Sequence, residues 1–586
     1  MDTRRLILFF IFSFSLVMLW DAWQKDQAKR NAPPPVAAKA GAPAAQPAPG
    51  AVPTLTTNLP GAPGVPGATP TPAPTAVAAP GATPAVPSQA KMQIKTDVLS
   101  ADIDAQGGDL RYLELTQHKD TLDKTKNFVL LEYQKTHTYI AQTGLIGAGL
   151  PTHQANFALP GGQAELKSGE SSLQVRLEAP ITINGVAAGK VAKIYTFTRG
   201  SYVIDVTYEV VNAGATAITP NVYLQVVRDA KPPAGDSKFL QTYTGAAFYT
   251  DANKFQKQDF GDIGKSKPVP TKTANDGWAG IIQHYFVAAW LPPDKSPREF
   301  FNSYTKKTPE NRLADDLHAV GTLMSLGTIA PGATGTYKAR LYAGPQDQNA
   351  MEKIAPGLEL TVDYGWLTII AQPMFWLVKW LFSMTGNWGF AIILLTVIVK
   401  AIFFPLSAAS YKSMARMKHV TPKMTAIRER YGSDRAKMNQ AMMELYKTEK
   451  INPLGGCLPI VVQIPVFIAL YWVLLATVEM RHQPFIGWIT DLTAQDPYYI
   501  LPIIMAATMY FQTKMNPVPP DPVQAKVMQI MPFVFAIFFF FFPAGLVLYW
   551  VVNNILSIAQ QWQITKMIES GQDPDKKKPE KKVDAK

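Results

Sequence analysis

A lysine stands inside a run of apolar residues long enough to approach the span of a bilayer, and that placement restricts what the chain can fold into more than any other feature. The run is Gly389-Phe-Ala-Ile-Ile-Leu-Leu-Thr-Val-Ile-Val-Lys-Ala-Ile-Phe-Phe-Pro405. Lys400 lies about 18 Å of helical rise from Trp388, and a charge at such depth needs a compensating arrangement. Snorkelling is one arrangement, because the end of the run at Pro405 is only about 7 to 8 Å further on and a lysine stem is long. The other is a water-filled cavity, which Thr396 supports by sitting one turn earlier on the same helical face. Two further apolar runs repeat the pattern, with Gln463 inside Pro459-Ile-Val-Val-Gln-Ile-Pro465 and with Tyr549 and Asn553 four residues apart. Singly, such residues act as hydrogen-bonded packing elements; together, a charge and polar groups on three helices fit a common cavity. These spans hold no Asp, Glu or His to accompany the lysine, which argues against a proton- or ion-coupled carrier.

The apolar runs extend roughly over 388–405, 458–478, 498–512, 527–542 and 546–564, giving a five-helix core. Two of them are short, which implies local thinning of the bilayer or shelter by protein. The loop 406–453 carries 10 Lys and Arg against 4 acids, whereas 479–497 has 1 Arg against 3 acids, so the former is expected in the cytoplasm. It reads as a helical hairpin, with Thr421 as cap before Pro422, Gly432 as a stop, and Ser433 restarting a helix towards Lys450. Its methionines, Met414 to Met443, either fill a small hairpin core or offer a flexible apolar landing surface. Residues 366–383 place Thr368, Gln372, Lys379 and Ser383 on one face, which suits a helix lying in the membrane interface; a full span is the alternative.

Arg4 and Arg5 before the apolar stretch Leu6 to Trp20 have the charge pattern of a signal sequence, but Trp20-Asp21-Ala22-Trp23 offers no small-residue cleavage site. An uncleaved anchor over 1–23, with a cytoplasmic N-terminus, is therefore expected. Residues 24–90 form a Pro/Ala-rich linker that buries too little apolar surface to fold. Beyond it, Tyr202, Ile204, Val206, Tyr208 and Val210 alternate with more polar neighbours, the pattern of a half-buried strand. Similar runs at Asn221 to Val227 and around Tyr337, with turn signals at Asn184-Gly185 and Arg199-Gly200, predict a β-sandwich over 91–345 on the far side of the membrane. The net charge of +12 clusters beside apolar runs, as topology signals do, so dedicated nucleic-acid binding is not indicated. The single cysteine, Cys457, excludes an intramolecular disulfide. No nucleophile with a base, metal-ligand cluster or phosphate loop stands out, so neither catalytic nor metal residues nor a cofactor are assigned. The basic tail 567–586 reads as solvated, with possible contact to anionic lipid or ribosomal RNA.

Gly386-Asn-Trp-Gly-Phe390, the segment through Lys400 to Pro405, Asn452-Pro-Leu-Gly-Gly-Cys457, Asp496-Pro-Tyr-Tyr-Ile-Leu-Pro502 and Phe542-Pro-Ala-Gly-Leu-Val-Leu-Tyr549 together resemble the bacterial YidC insertases of the YidC/Oxa/Alb family. The resemblance covers about Trp366 to Met567, and the anchor, linker and large periplasmic domain fit the Gram-negative type. It implies an insertase core over 386–566, preceded by a connector and interfacial helix at 346–385. It also implies a hydrophilic groove open to cytoplasm and lipid but closed towards the periplasm. The family's groove arginine falls on Lys400 here, which keeps the charge and loses the planar fork. Thr396 and the pair Tyr549-Trp550 match groove positions, joined by Gln463 and Asn553, while Phe467, Met505 and Phe538 match an apolar slide facing lipid. The implied partners are nascent membrane proteins, the ribosome, the Sec translocon (SecYEG and SecDF) and the lipid bilayer of the bacterial inner membrane, with both termini cytoplasmic. A small-solute transporter, or a carbohydrate-binding or enzymatic β-domain on a membrane anchor, are the rival readings.

Overall fold

The computed structural model describes residues 90–134, 136–235, 242–308, 315–432, 434–449, 458–516 and 522–570. The anchor expected at 1–23, the linker up to residue 89, Cys457 and the end of the basic tail lie outside the described residues. Two compact units result, one running to Asp363 and the other formed by 364–475 and the chain from 479 onward.

The first unit is built from two antiparallel-rich sheets. One has ten strands in the order Thr273–Ala274, Arg298–Thr305, Leu317–Ser325, Asn221–Asp229, Thr138–Ile146, Asn127–Tyr133, Leu110–Lys119, Leu99–Asp104, Lys91–Lys95 and Gln163–Glu165. The other has eight, in the order Lys254–Gln258, Gly245–Thr250, Trp278–Gln283, Phe286–Leu291, Thr334–Pro345, Val203–Asn212, Val186–Thr198 and Ser172–Ile183. The alternation read from the sequence appears in Val203–Asn212, where every second residue is buried. Asn184 and Gly185 both take positive φ, 51° and 80°, which is what a two-residue hairpin turn between right-twisting strands requires. Asn221–Asp229 is buried along its whole length because strands flank it on both sides and both its faces are covered. Its terminal Asp229 accepts from the Thr138 amide and His137 Nδ1 at 2.8 and 2.9 Å. The unit does not end with its last strand at Pro345. Leu358 is fully buried, Trp278 Nε1 donates to the Pro356 carbonyl and Gln346 Nε2 to that of Thr361, at 3.0 and 3.1 Å, which ties 346–361 to the sheets.

The second unit is helical: α1 (Thr368–Thr385), α2 (Trp388–Ile402), α3 (Phe404–Tyr431), α4 (Arg435–Thr448), α5 (Leu458–Ala476), α6 (Ile500–Met515), α7 (Pro522–Phe539) and α8 (Ala544–Glu569). Among the described residues, Gly365–Thr385 is long and apolar enough to cross a membrane, and α2 joined to the start of α3 is too, with a 67° bend between them. The bend falls where Pro405 removes an amide donor and its ring crowds the Ala401 carbonyl. The apolar stretches Val462–Ala476 and Ala525–Phe539 are shorter than a standard span. Helix α1 buries Ala371, Met374, Phe375, Val378 and Leu381 on one side and exposes Ile369, Trp376 and Trp380 on the other, with Trp366 exposed in the turn before it.

The hairpin differs from the sequence reading in one place. Thr421-Pro422 does not begin a helix: α3 is already running from Phe404, with Pro422 inside it, and Thr421 Oγ1 donates back to the Met417 carbonyl at 3.2 Å. A proline tolerated within a helix and one at its first turn look alike in sequence. Helix α4 is capped by Asp434, whose carboxylate accepts from the amides of Ala436 and Lys437, each at 3.1 Å, while Ser433, the restart read from the sequence, lies outside the described residues. Val420 and Met424 form a small core with Met417, Met442, Leu445 and Tyr446, so part of the methionine content packs the hairpin itself.

Candidate functional site

Helix α8 organises the polar interior of the helical unit, packing against α2, α3 and α6. Its start is fixed by the segment 480–499. The Ala544 and Gly545 amides donate to the carbonyls of Ala494 and Leu492 at 2.7 and 2.9 Å. The buried Asp496 carboxylate accepts from the Leu501 and Tyr498 amides and from Trp488 Nε1, at 2.7, 3.0 and 3.0 Å, and so ties the first turn of α6 to the loop. Asn387 caps α2, accepting from the Gly389 amide at 2.8 Å, and its Nδ2 donates to the Phe485 carbonyl at 3.1 Å. Gly389 has to be glycine here, because a Cβ would stand 2.0 Å from the Phe485 ring.

Held in this frame, Lys400 is 8 % exposed, and its Nζ donates to Ser557 Oγ at 2.7 Å. Ser557 Oγ in turn donates to the Asn553 carbonyl one turn earlier on α8, also at 2.7 Å, so its lone pairs are left for the ammonium. No carboxylate pairs with Lys400 among the described residues. Thr396 is fully buried and its hydroxyl donates to the Ile392 carbonyl of its own helix at 2.7 Å. About 12 Å along α8 from Ser557 is a second polar grouping, where Gln463 Nε2 on α5 donates to the buried Tyr549 hydroxyl. Tyr549 and Trp550 lie 6.4 and 5.0 Å, ring to ring, from Phe467, which also meets Phe539.

All six residues read from sequence as groove positions thus lie on α2, α5 and α8, in two groupings joined by α8. The three apolar positions do not form one surface. Phe538 is 54 % exposed beside Phe533, Val534 and Ile537, Phe467 is half-buried against the Tyr549-Trp550 pair, and Met505 is wholly buried in α6. A lipid-facing position is therefore open to Phe538 but not to Met505 in this structure. Sequence reasoning missed Ser557, the hydrogen-bond partner of Lys400, together with Gln561 and Asn554. Gln561 Nε2 donates to Asn516 Oδ1 at 3.0 Å and Asn554 Nδ2 to Thr508 Oγ1 at 3.3 Å, linking α8 to α6. The signal that reaches two of them is the four-residue step from Tyr549 to Asn553, which continues to Ser557 and Gln561.

Residues 91–377 match the family model of the YidC periplasmic domain, and residues 380–572 that of the 60Kd inner membrane protein family. A relative from Aromatoleum aromaticum, named membrane protein insertase YidC, is 54 % identical over 97 % of this chain and 98 % of its own length. One of the same name from Methylobacillus flagellatus is 53 % identical, again over 97 % and 98 %. A crystal structure of an active YidC insertase with its first transmembrane domain resolved aligns over 79 % of this chain and 90 % of its own, with 18 % identity and a TM-score of 0.36.

Proposed function

The chain belongs to the YidC family of membrane protein insertases, inner-membrane proteins with a periplasmic domain, and on that premise we propose that its helical unit works through a hydrophilic groove centred on Lys400. The groove opens to the cytoplasm and to lipid. A client's polar tail meets a cost of several kcal/mol per charge on entering hydrocarbon, and a hydrated recess reaching into the inner leaflet shortens that crossing. Lys400 attracts acidic residues of the tail, while Thr396, Gln463, Tyr549, Trp550 and Asn553 supply the polar lining. The client's apolar helix leaves past Phe467 and Phe538 into lipid; Met505 takes part only if α6 shifts to uncover it. The step is a transfer between solvents and needs no covalent chemistry.

The observation that carries this reading is the state of Lys400: an ammonium buried in an apolar bundle whose hydrogen-bond partner is a neutral serine. A structural lysine in such a place would be expected to have a carboxylate partner. The experiment is insertion into liposomes of paired clients that differ only in tail charge. Loss of the acidic client with Lys400→Gln, while the neutral client still inserts, supports the groove. An equal effect on both clients sinks its electrostatic part.

The charge asymmetry of the loops favours the α3–α4 hairpin and both termini in the cytoplasm. Helix α1 is read as lying in the periplasmic interface, which its tryptophan-rich outer face and the Lys379–Glu479 ion pair at 3.1 Å both suit. The ribosome and the Sec translocon are the proposed partners, the basic hairpin and tail being suited to ribosomal RNA or anionic lipid.

A further inference from the structure

Helix α8 holds more buried polar groups than the contacts above use. Asn553, Ser557 and Gln561 follow at four-residue steps over about 12 Å and are 5, 3 and 2 % exposed. Oδ1 of Asn553 and Oε1 of Gln561 have no hydrogen-bond partner among the described residues. Buried amide oxygens are ordinarily paired, with protein or with water, so these two can each take a donor. Between them stands the Lys400 ammonium. It has three donors; one goes to Ser557, and the other two have no protein partner among the described residues. Because the Ser557 proton is committed to the Asn553 carbonyl, Ser557 acts on Lys400 purely as an acceptor and fixes where the ammonium sits.

Along the face of α8 that carries Asn553, Ser557 and Gln561 the open groups therefore run acceptor, donor, acceptor, and beside it the Trp550 Nε1 donor and the Gln560 Oε1 acceptor are also without a partner among the described residues. The complement is a ligand that runs donor, acceptor, donor. A lipid phosphate, which has acceptors only, would satisfy Lys400 and leave both amide oxygens unmet. An extended polypeptide supplies both kinds, its main-chain N–H groups as donors and an Asp or Glu side chain as the central acceptor. At about 3.3 Å per residue, 12 Å accommodates about four residues.

We propose that Asn553, Ser557 and Gln561 form a track for about four extended residues of a client's acidic tail, with Ser557 as the positioning residue that holds Lys400 against the tail carboxylate. The track rests on the groove reading and deepens it; its three residues are buried like Met505, so it is uncovered by the same shift of α6, which Gln561–Asn516 and Asn554–Thr508 tie to α8.

The test uses the full chain in liposomes and a stalled, ribosome-bound client with a short acidic tail. Photocrosslinkers at 557 and 561 are expected to capture the tail, and those at Ile555 and Trp562, which are 49 % and 59 % exposed, are not. Ser557→Ala is expected to lower the ratio of acidic-client to neutral-client insertion about tenfold, or ~1.4 kcal/mol, as loss of one charge-assisted hydrogen bond would. Ser557→Thr, which keeps the hydroxyl, restores the ratio. Gln561→Leu lowers both clients alike, because its contact is to main chain. Capture at 396 and 400 but not at 557 and 561 overturns the track and leaves the groove standing. Capture at none of the four sinks both. An unchanged ratio in Ser557→Ala overturns the positioning role.

Discussion

Asp109→Asn is expected to destabilise the sheet-bearing unit by ~3–5 kcal/mol, the usual effect of removing one member of a buried ion pair. Lys193 and Asp109 are both fully buried, with Nζ 3.3 Å from Oδ1, and the lysine's other bonds go to the carbonyls of Gly107 and Thr143 at 2.9 and 3.2 Å. The rings of Phe157, Tyr195 and Tyr208 surround the ammonium at 5.5 to 5.8 Å, so the pair sits in an aromatic enclosure. At about 2 °C per kcal/mol for a unit of this size, the melting temperature should fall by ~6–10 °C. Thermal scans in detergent micelles, followed by the sheet signal in circular dichroism, measure it. A second signature comes from pH. Burial pushes Lys193 down to about 8, against the pull of the Asp109 charge, from 10.5 in the open chain. Between those two values the unfolded chain binds a proton that the folded chain does not, so stability rises with pH across that window. Lys193→Met abolishes the rise. The Asp109→Asn deficit shrinks as the medium becomes more alkaline, and the double variant recovers most of the loss because neither charge is then stranded. A shift under about 1 °C in Asp109→Asn, on the scale of a fraction of a kcal/mol, would refute the reasoning, as would an unchanged pH slope in Lys193→Met.

Lys400→Arg should keep insertion of acidic-tailed clients and Lys400→Glu should abolish it, since at about 4 Å and an effective dielectric near 20 a charge pair exchanges ~4 kcal/mol of attraction for the same repulsion; paired-client liposome assays read the difference. Deleting 91–363, the described part of the sheet-bearing unit before α1, should leave insertion in vesicles intact, because every groove residue lies in the helical unit; its complete loss would make the β-domain the working part. Asp496→Ala removes three hydrogen bonds to one buried carboxylate and should lower bundle stability by ~2–4 kcal/mol, seen as earlier proteolysis of the 480–499 segment; Asp496→Asn should recover part of it.

The two-unit architecture was legible because its signals are periodic. Alternation in Val203–Asn212 and the helical runs survive in the structure with boundaries moved by a few residues. Asn221–Asp229 was harder, since Gln225, Arg228 and Asp229 are polar and yet buried, their burial being supported by neighbours distant in sequence. Pro422 was misread because proline's local rule is the same for a helix start and for a helix that tolerates it. Of the site, the charge announced itself by being out of place in an apolar run. Ser557 did not, because serine in a helix is ordinary until a lysine 157 residues away is brought to it. The burial of Met505 was not legible for the converse reason: an apolar side chain in an apolar helix carries no mark of which way it faces.

Photocrosslinking from positions 396, 400, 467 and 538 to a stalled, ribosome-bound nascent membrane protein tests the groove most directly. The polar tail should be captured from 396 and 400, and the apolar segment from 467 and 538. Absence of capture at all four, in a preparation that still inserts the released client, would contradict the account.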